Sequence, residues 1–138
     1  MKIKVSESMK KVNDPEGLYK LLDKFFKTQD NIDRQKEHFF VIHLDTRNRI
    51  RTFELVSIGI LNASLVHPRE VFTRAVRECS AQLILAHNHP SGDPEPSAED
   101  IASTRRMTEV GKILGIEVLD HLIYAKGTYI SLKEQGLM

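Results

Sequence analysis

The stretch His87-Asn88-His89-Pro90-Ser91-Gly92-Asp93-Pro94-Glu95-Pro96-Ser97-Ala98-Glu99-Asp100 decides how this chain is read. Before it stands Ala81-Gln82-Leu83-Ile84-Leu85-Ala86, a short apolar run bounded by a turn signal, which suits a buried strand. Strand side chains alternate between faces, so residues two apart point the same way. His87 and His89 then project together from the strand's C-terminal end, where two imidazoles can share one ion. Three prolines and a glycine follow within the seven residues Pro90 to Pro96. Proline fixes φ and glycine permits turns closed to other residues, so this is a shaped loop rather than a tether. It delivers the chain to Ser97, where a helix should begin, and Asp100 can return a hard oxygen ligand to the two nitrogens. Two histidines and one carboxylate, with a fourth position left to water, form the pattern of a catalytic rather than a structural zinc site.

Ser97-x-x-Asp100 also reads as a capping box, in which the serine oxygen accepts from an orphan backbone N–H and the acid reaches back. The two roles are compatible, because a capped, rigid helix start holds a ligand well.

His-x-His, seven intervening residues and then Ser-x-x-Asp resembles the JAMM signature of the JAB1/MPN+ metalloprotease family. The flanks NASLVHPREVF (62–72) and VLDHLIY (118–124) are similar to those of the RadC branch, and the resemblance runs from about Glu37 to the C-terminus. It implies an α/β domain of JAB1/MPN architecture, a curved mixed β-sheet flanked by helices and related to the cytidine deaminase fold. It implies one Zn2+ per chain, held by His87, His89 and Asp100, and attack of an activated water on a peptide or isopeptide amide. RadC-like proteins often carry an N-terminal helix-hairpin-helix segment. None is recognisable here, so residues 14–138 are expected to form the JAB domain behind a leader, residues 1–13.

The resemblance also asks for an upstream glutamate as general base, and three are candidates. Glu70 belongs in the first turn of a helix, where an acid suits the macrodipole. Glu54 is mid-strand and expected to face solvent. Glu37 opens the first long strand as the family's glutamate does, and is taken as the base. Ser97 would then offer its hydroxyl to the oxyanion. A deaminase reading fails, because such enzymes use His-x-Glu with a Pro-Cys-x-x-Cys pair and this chain has one cysteine.

With 138 residues and 41% hydrophobic content the chain can build one globular core. A formal charge of +1 and a pI near 7.9 give no general electrostatic reason for autonomous nucleic-acid or membrane binding. A protein or peptide substrate is the expected partner, and homo-oligomerisation stays open. One cysteine, Cys79, excludes an internal disulfide, and neither a signal peptide nor a long apolar run is present. A cytoplasmic location follows by default. Cys79 ends a helix before the apolar strand, so a buried structural role is expected.

Along the chain, Ile3 and Val5 permit a short edge strand or a flexible arm. Asp14-Pro15-Glu16 starts a helix striped by Leu18, Leu21, Leu22, Phe25 and Phe26, and residues 28–36 make a turn or a short second helix. Residues 37–45 and 50–60 form a hairpin whose tip carries Arg47, Arg49 and Arg51 as a solvated cluster. Residues 59–66 are a loop running near the site. A helix from His67 to Arg77 turns Val71, Phe72, Ala75 and Val76 inward. One from Ala98 to Gly115 puts Thr104, Met107, Gly111 and Leu114 on the face of Asp100, with Gly115 as its stop. Strands follow over 116–124 and 128–132. Asp120-His121 is either a core histidine beside its acid or a hydrogen bond that orients a metal ligand. His38, His43 and His67 receive no metal role.

Two other readings compete: a non-catalytic MPN scaffold, and a DNA-repair-associated accessory factor. Intact His87, His89, Ser97 and Asp100 argue against the first, and near-neutral charge against the second.

Overall fold

The computed structural model describes residues 1–5, 14–59 and 66–138. In chain order it contains β1 (Lys2–Ile3), α1 (Pro15–Lys27), α2 (Asn31–Arg34), β2 (His38–Leu44), β3 (Ile50–Ile58), α3 (Pro68–Arg77), β4 (Gln82–Asn88), α4 (Ala98–Leu114), β5 (Glu117–Ala125) and β6 (Thr128–Ser131). The six strands form one open mixed sheet in the order β1-β3-β2-β4-β5-β6. Only β4 and β5 run parallel, and α4 makes the crossover between them.

Local chemistry sets the ends of the elements. Asp14 accepts from Gly17 N at 3.2 Å and Pro15 opens α1. The β2–β3 turn is drawn tight by Asp45, whose Oδ1 accepts from Arg47 N and Arg49 N at 2.8 and 2.9 Å. The last turn of α4 closes on Gly115 at φ 73°, a left-handed conformation that glycine adopts without penalty. Every residue of β2 is buried, His38 and His43 included, as befits a central strand covered on both faces.

Helices do the covering. On one face α1 lays Leu18, Leu22 and Phe26 against Phe40, Ile42, Leu122 and Tyr124. On the other, α3 and α4 set Val71, Phe72, Ala75 and Met107 against Val41, Leu83 and Leu85. Ile3 pairs with Phe53, so the alternation at the N-terminus makes an edge strand; residues 6–13 lie outside the described set, as do 60–65 of the expected loop. Among the described residues no helix is long and apolar enough to cross a membrane.

Four expectations need correction. Val76 is 56% exposed and Leu114 45% exposed; each sits in the last turn of its helix. Cys79 is exposed: it occupies a left-handed turn (φ 54°) that carries the chain from α3 to β4 and points its side chain outwards. Glu54 does not face solvent. Its carboxylate meets His43 Nε2 at 2.9 Å and Arg74 Nε at 3.1 Å, while His43 Nδ1 lies 2.9 Å from Ser80 Oγ. Burial works against the charge of Glu54, but the His43 and Arg74 contacts outweigh it and hold its pKa below the usual value.

Candidate metal centre

The antiparallel register of β2 on β4 assembles one side of the site. Phe39 pairs with His87 at the end of the ladder, and just beyond it Asn88 Oδ1 accepts from His38 N, which brings Glu37 to the histidines. Residues two apart share a face, which puts Glu37 with His87 and His89. Ligand atoms of these three lie within 4.8 Å of one another. Glu54 pairs with His43 and Arg74, and Glu70 accepts from His67 N at 3.0 Å as the first-turn acid of α3, so both have other partners.

The start of α4 supplies the opposite side. Ser97 Oγ accepts from Asp100 N at 3.0 Å, and Asp100 Oδ2 accepts from Ser97 N at 2.9 Å, the reciprocal pair the spacing predicts. Asp100 then presents Oδ2 to His89 Nε2 at 3.2 Å and Oδ1 to His87 Nε2 at 3.4 Å. Ser97 itself is exposed, and its hydroxyl has no acceptor among the described residues.

Hydrogen bonding behind the site fixes the protons of both rings. His89 Nδ1 faces the Asp93 carbonyl at 2.9 Å, so that nitrogen carries the hydrogen and Nε2 carries the lone pair. His87 is set by a longer chain. Thr104 Oγ donates to Asp100 O at 2.7 Å, the helix's own preceding turn, and must therefore accept from His121 Nδ1 at 2.5 Å. His121 Nε2 is left as an acceptor for His87 Nδ1–H at 2.7 Å, which frees His87 Nε2. Burial pushes the His121 pKa well down, and the charge of His87 adds to this, keeping the ring neutral as the chain requires.

Two Nε2 lone pairs 3.0 Å apart and a carboxylate now converge. Acceptors so crowded need a positive charge among them. Without an ion it is a proton on His89, whose pKa is raised first by the Asp100 carboxylate; His87, fully buried, is pushed down by desolvation. Burial opposes the charge of Asp100, but hydrogen bonds to His87 and His89 hold its carboxyl far below the ordinary range. Glu37 adds a buried Oε2 without a hydrogen-bond partner, and burial, with the Asp100 charge, raises its pKa against the partial offset of His89. The donor set fits a divalent cation that prefers nitrogen and oxygen.

His121 therefore lies behind His87, and Asp120 does not. Asp120 accepts from Ser131 Oγ at 2.6 Å and Lys133 N at 3.1 Å, tying β5 to β6 and the turn beyond it. A register shift between Leu83 and Ile84 breaks the alternation of β5, so Val118 and His121 share one face while Leu119 packs on the other.

Two residues of the site carried no functional reading in sequence. Thr104 was legible only as an inward helix position. Asn88 stands between the histidines and points the other way: Oδ1 accepts from His38 N at 2.5 Å and Nδ2 donates to Lys36 O at 3.0 Å. It thus grips the backbone on both sides of Glu37, whose own carbonyl accepts from Gly59 N at 3.0 Å. The signal available was its place, between two ligands on a buried strand. Asn88→Ala leaves a buried N–H unpaired and should cost about 2 kcal/mol, read as a lower midpoint of thermal unfolding. Asn88→Asp should fare no better, since it sets a carboxylate oxygen against Lys36 O.

Residues 12–137 match the RadC-like JAB domain family. A UPF0758 protein of Methanosarcina mazei is 49% identical over 97% of this chain, and one of Methanosarcina barkeri is 52% identical over the same share; each match covers 56% of the relative. A UPF0758 protein of Methanococcoides burtonii is 61% identical over 74% of this chain and 44% of its own length. The chain thus spans about half the length of the curated relatives it matches. With the matched segment covering nearly the whole sheet and every residue of the site, the chain belongs to the RadC-like JAB domain family.

Proposed function

We propose that the chain is a zinc-dependent hydrolase that opens a peptide or isopeptide amide in a protein or peptide substrate. His87, His89 and Asp100 would hold the ion. The single observation that carries this is the hydrogen-bond pattern that turns both Nε2 lone pairs, fixed from behind by His121 and Asp93 O, onto one point shared with the Asp100 carboxylate. Zinc bound in such a set lowers the pKa of its water to about 7 and polarises a carbonyl.

The chain's own groups supply the rest. Glu37, buried and with one carboxylate oxygen unpartnered, takes the proton of the attacking water and hands it to the departing amine. The exposed Ser97 hydroxyl donates to the oxygen on which charge develops, while its lone pair stays on Asp100 N. His121 and Thr104 move no proton; they keep His87 in one tautomer throughout.

Elemental analysis of protein purified without chelator tests the reading, beside the His89→Ala variant. About one zinc per chain, absent from the variant while its fold persists, is the expected result. Metal-free protein in both cases would leave a non-catalytic scaffold.

A further inference from the structure

A cavity of about 430 Å³ opens beside the candidate metal centre, between the α1–α2 corner and the C-terminal ends of β4 and β5, with His89 in its wall. We infer that this cavity is a subsite for an acidic segment of the substrate, lying next to the amide to be cut; the inference rests on the hydrolase reading of the site.

Charge and hydrogen bonding decide the class. Asp23 is the lining acid, and both of its oxygens are engaged, Oδ1 by the Tyr124 hydroxyl at 2.7 Å and Oδ2 by Lys27 at 2.8 Å. Those two bonds, Lys27 first, hold it ionised, so Asp23 and Lys27 cancel. Arg34 and Lys126 remain. Arg34 spends Nε and Nη2 on Phe26 O and Lys27 O at the end of α1, both at 2.9 Å, which fixes the guanidinium and leaves Nη1 to donate. Lys126 is exposed at the β5–β6 turn and has no hydrogen-bond partner among the described residues. Two cations with spare donors, one of them pre-positioned, face a wall whose acid is already neutralised. That favours a carboxylate-bearing ligand.

A nucleic acid fits the same cavity poorly. Tyr124 is only 6% exposed and already stacks on Phe26 at 4.8 Å and on Tyr19 at 5.7 Å, which leaves little of the ring open to a base. Two cations in a chain of formal charge +1 are also few for a backbone whose grip depends on many phosphate contacts.

The test is fluorescence polarisation of the zinc-loaded protein with a labelled octapeptide bearing two glutamates, against its glutamine counterpart. The glutamate peptide should bind about tenfold more tightly, a difference of about 1.4 kcal/mol. The preference should vanish in Arg34→Glu/Lys126→Glu with zinc content unchanged. Lys126→Glu alone, which breaks no hydrogen bond, should reduce it and guards against loss of α2 in the double variant. Equal binding of the two peptides, binding of neither, or a preference that survives the reversal overturns the inference. So does displacement of the peptide by a DNA duplex at lower concentration. Turnover and zinc content are measured separately: glutamate-selective binding by protein that holds no zinc would remove the hydrolase reading and leave an acidic-peptide site without a role in cleavage.

Discussion

Glu37→Gln is expected to keep its zinc and to lose amide hydrolysis by about 10²–10⁴-fold, the range that a positioned general base supplies. The substitution preserves shape and one oxygen, and Glu37 takes no part in the hydrogen bonds that orient His87 and His89. What it removes is the proton acceptor. Placement of that acceptor is backbone work, since Asn88 holds Lys36 and His38 while β2 pairs with β4 as far as Phe39–His87. Steady-state turnover of an isopeptide-linked substrate and metal content, measured on the same preparation, separate the outcomes. Retained zinc with full turnover would remove Glu37 from the chemistry. Lost zinc would show that it is needed to hold the ion.

Gly111→Ala should lower stability by about 3 kcal/mol, the upper end of the usual cost of overpacking, and the melting midpoint by about 10 °C. Helix propensity alone predicts the opposite sign, since alanine is favoured over glycine by about 1 kcal/mol in a helix interior. Space decides it. A Cβ on Gly111 would stand 2.4 Å from the Ile116 carbonyl oxygen and 3.3 Å from Val118 Cγ2. The nearer atom is backbone, and Ile116 N also donates to Gly111 O at 2.8 Å, so the helix cannot slide away without giving up that bond. Because the same helix brings Asp100 and Thr104 to the histidines, zinc affinity should fall with the melting midpoint. Calorimetry with and without zinc checks both.

The histidine pair and the acid were readable because each follows from a local rule: alternation along a strand for His87 and His89, and the start of a helix for Asp100. A single α/β domain was readable from the order of apolar segments, and a mixed sheet with helices on both faces from the family resemblance. What escaped depends on pairing between distant segments. Glu37 comes within reach of the histidines only because β2 pairs with β4, which no local pattern encodes, and only the resemblance singled it out. Asp120 and His121 could not be told apart, because an irregularity in β5 reverses the alternation there. Glu54 looked like a surface acid since its partners, His43 and Arg74, come from β2 and α3. Val76 and Leu114 were assigned inward by periodicity, which says which side of a helix is apolar but not how far along it the cover extends. Cys79 was assigned inward from its place between a helix and an apolar strand, where a left-handed turn in fact exposes it.

The two histidines are anchored in opposite ways. His87 is 1% exposed and tied through His121 and Thr104 to the interior of α4. His89 is tied to the carbonyl of Asp93, in a solvent-facing turn of the proline-punctuated loop. A shift of that turn would act on the His89 ring directly and reach His87 only through the contact between their Nε2 atoms. Were an ion held there, a chelator would be expected to compete first for the His89 position, with His87 and Asp100 as the fixed side against which the site is rebuilt. Sequence change in Ser91–Pro96 would then tune how long such an ion stays, without redesign of the sheet that receives it.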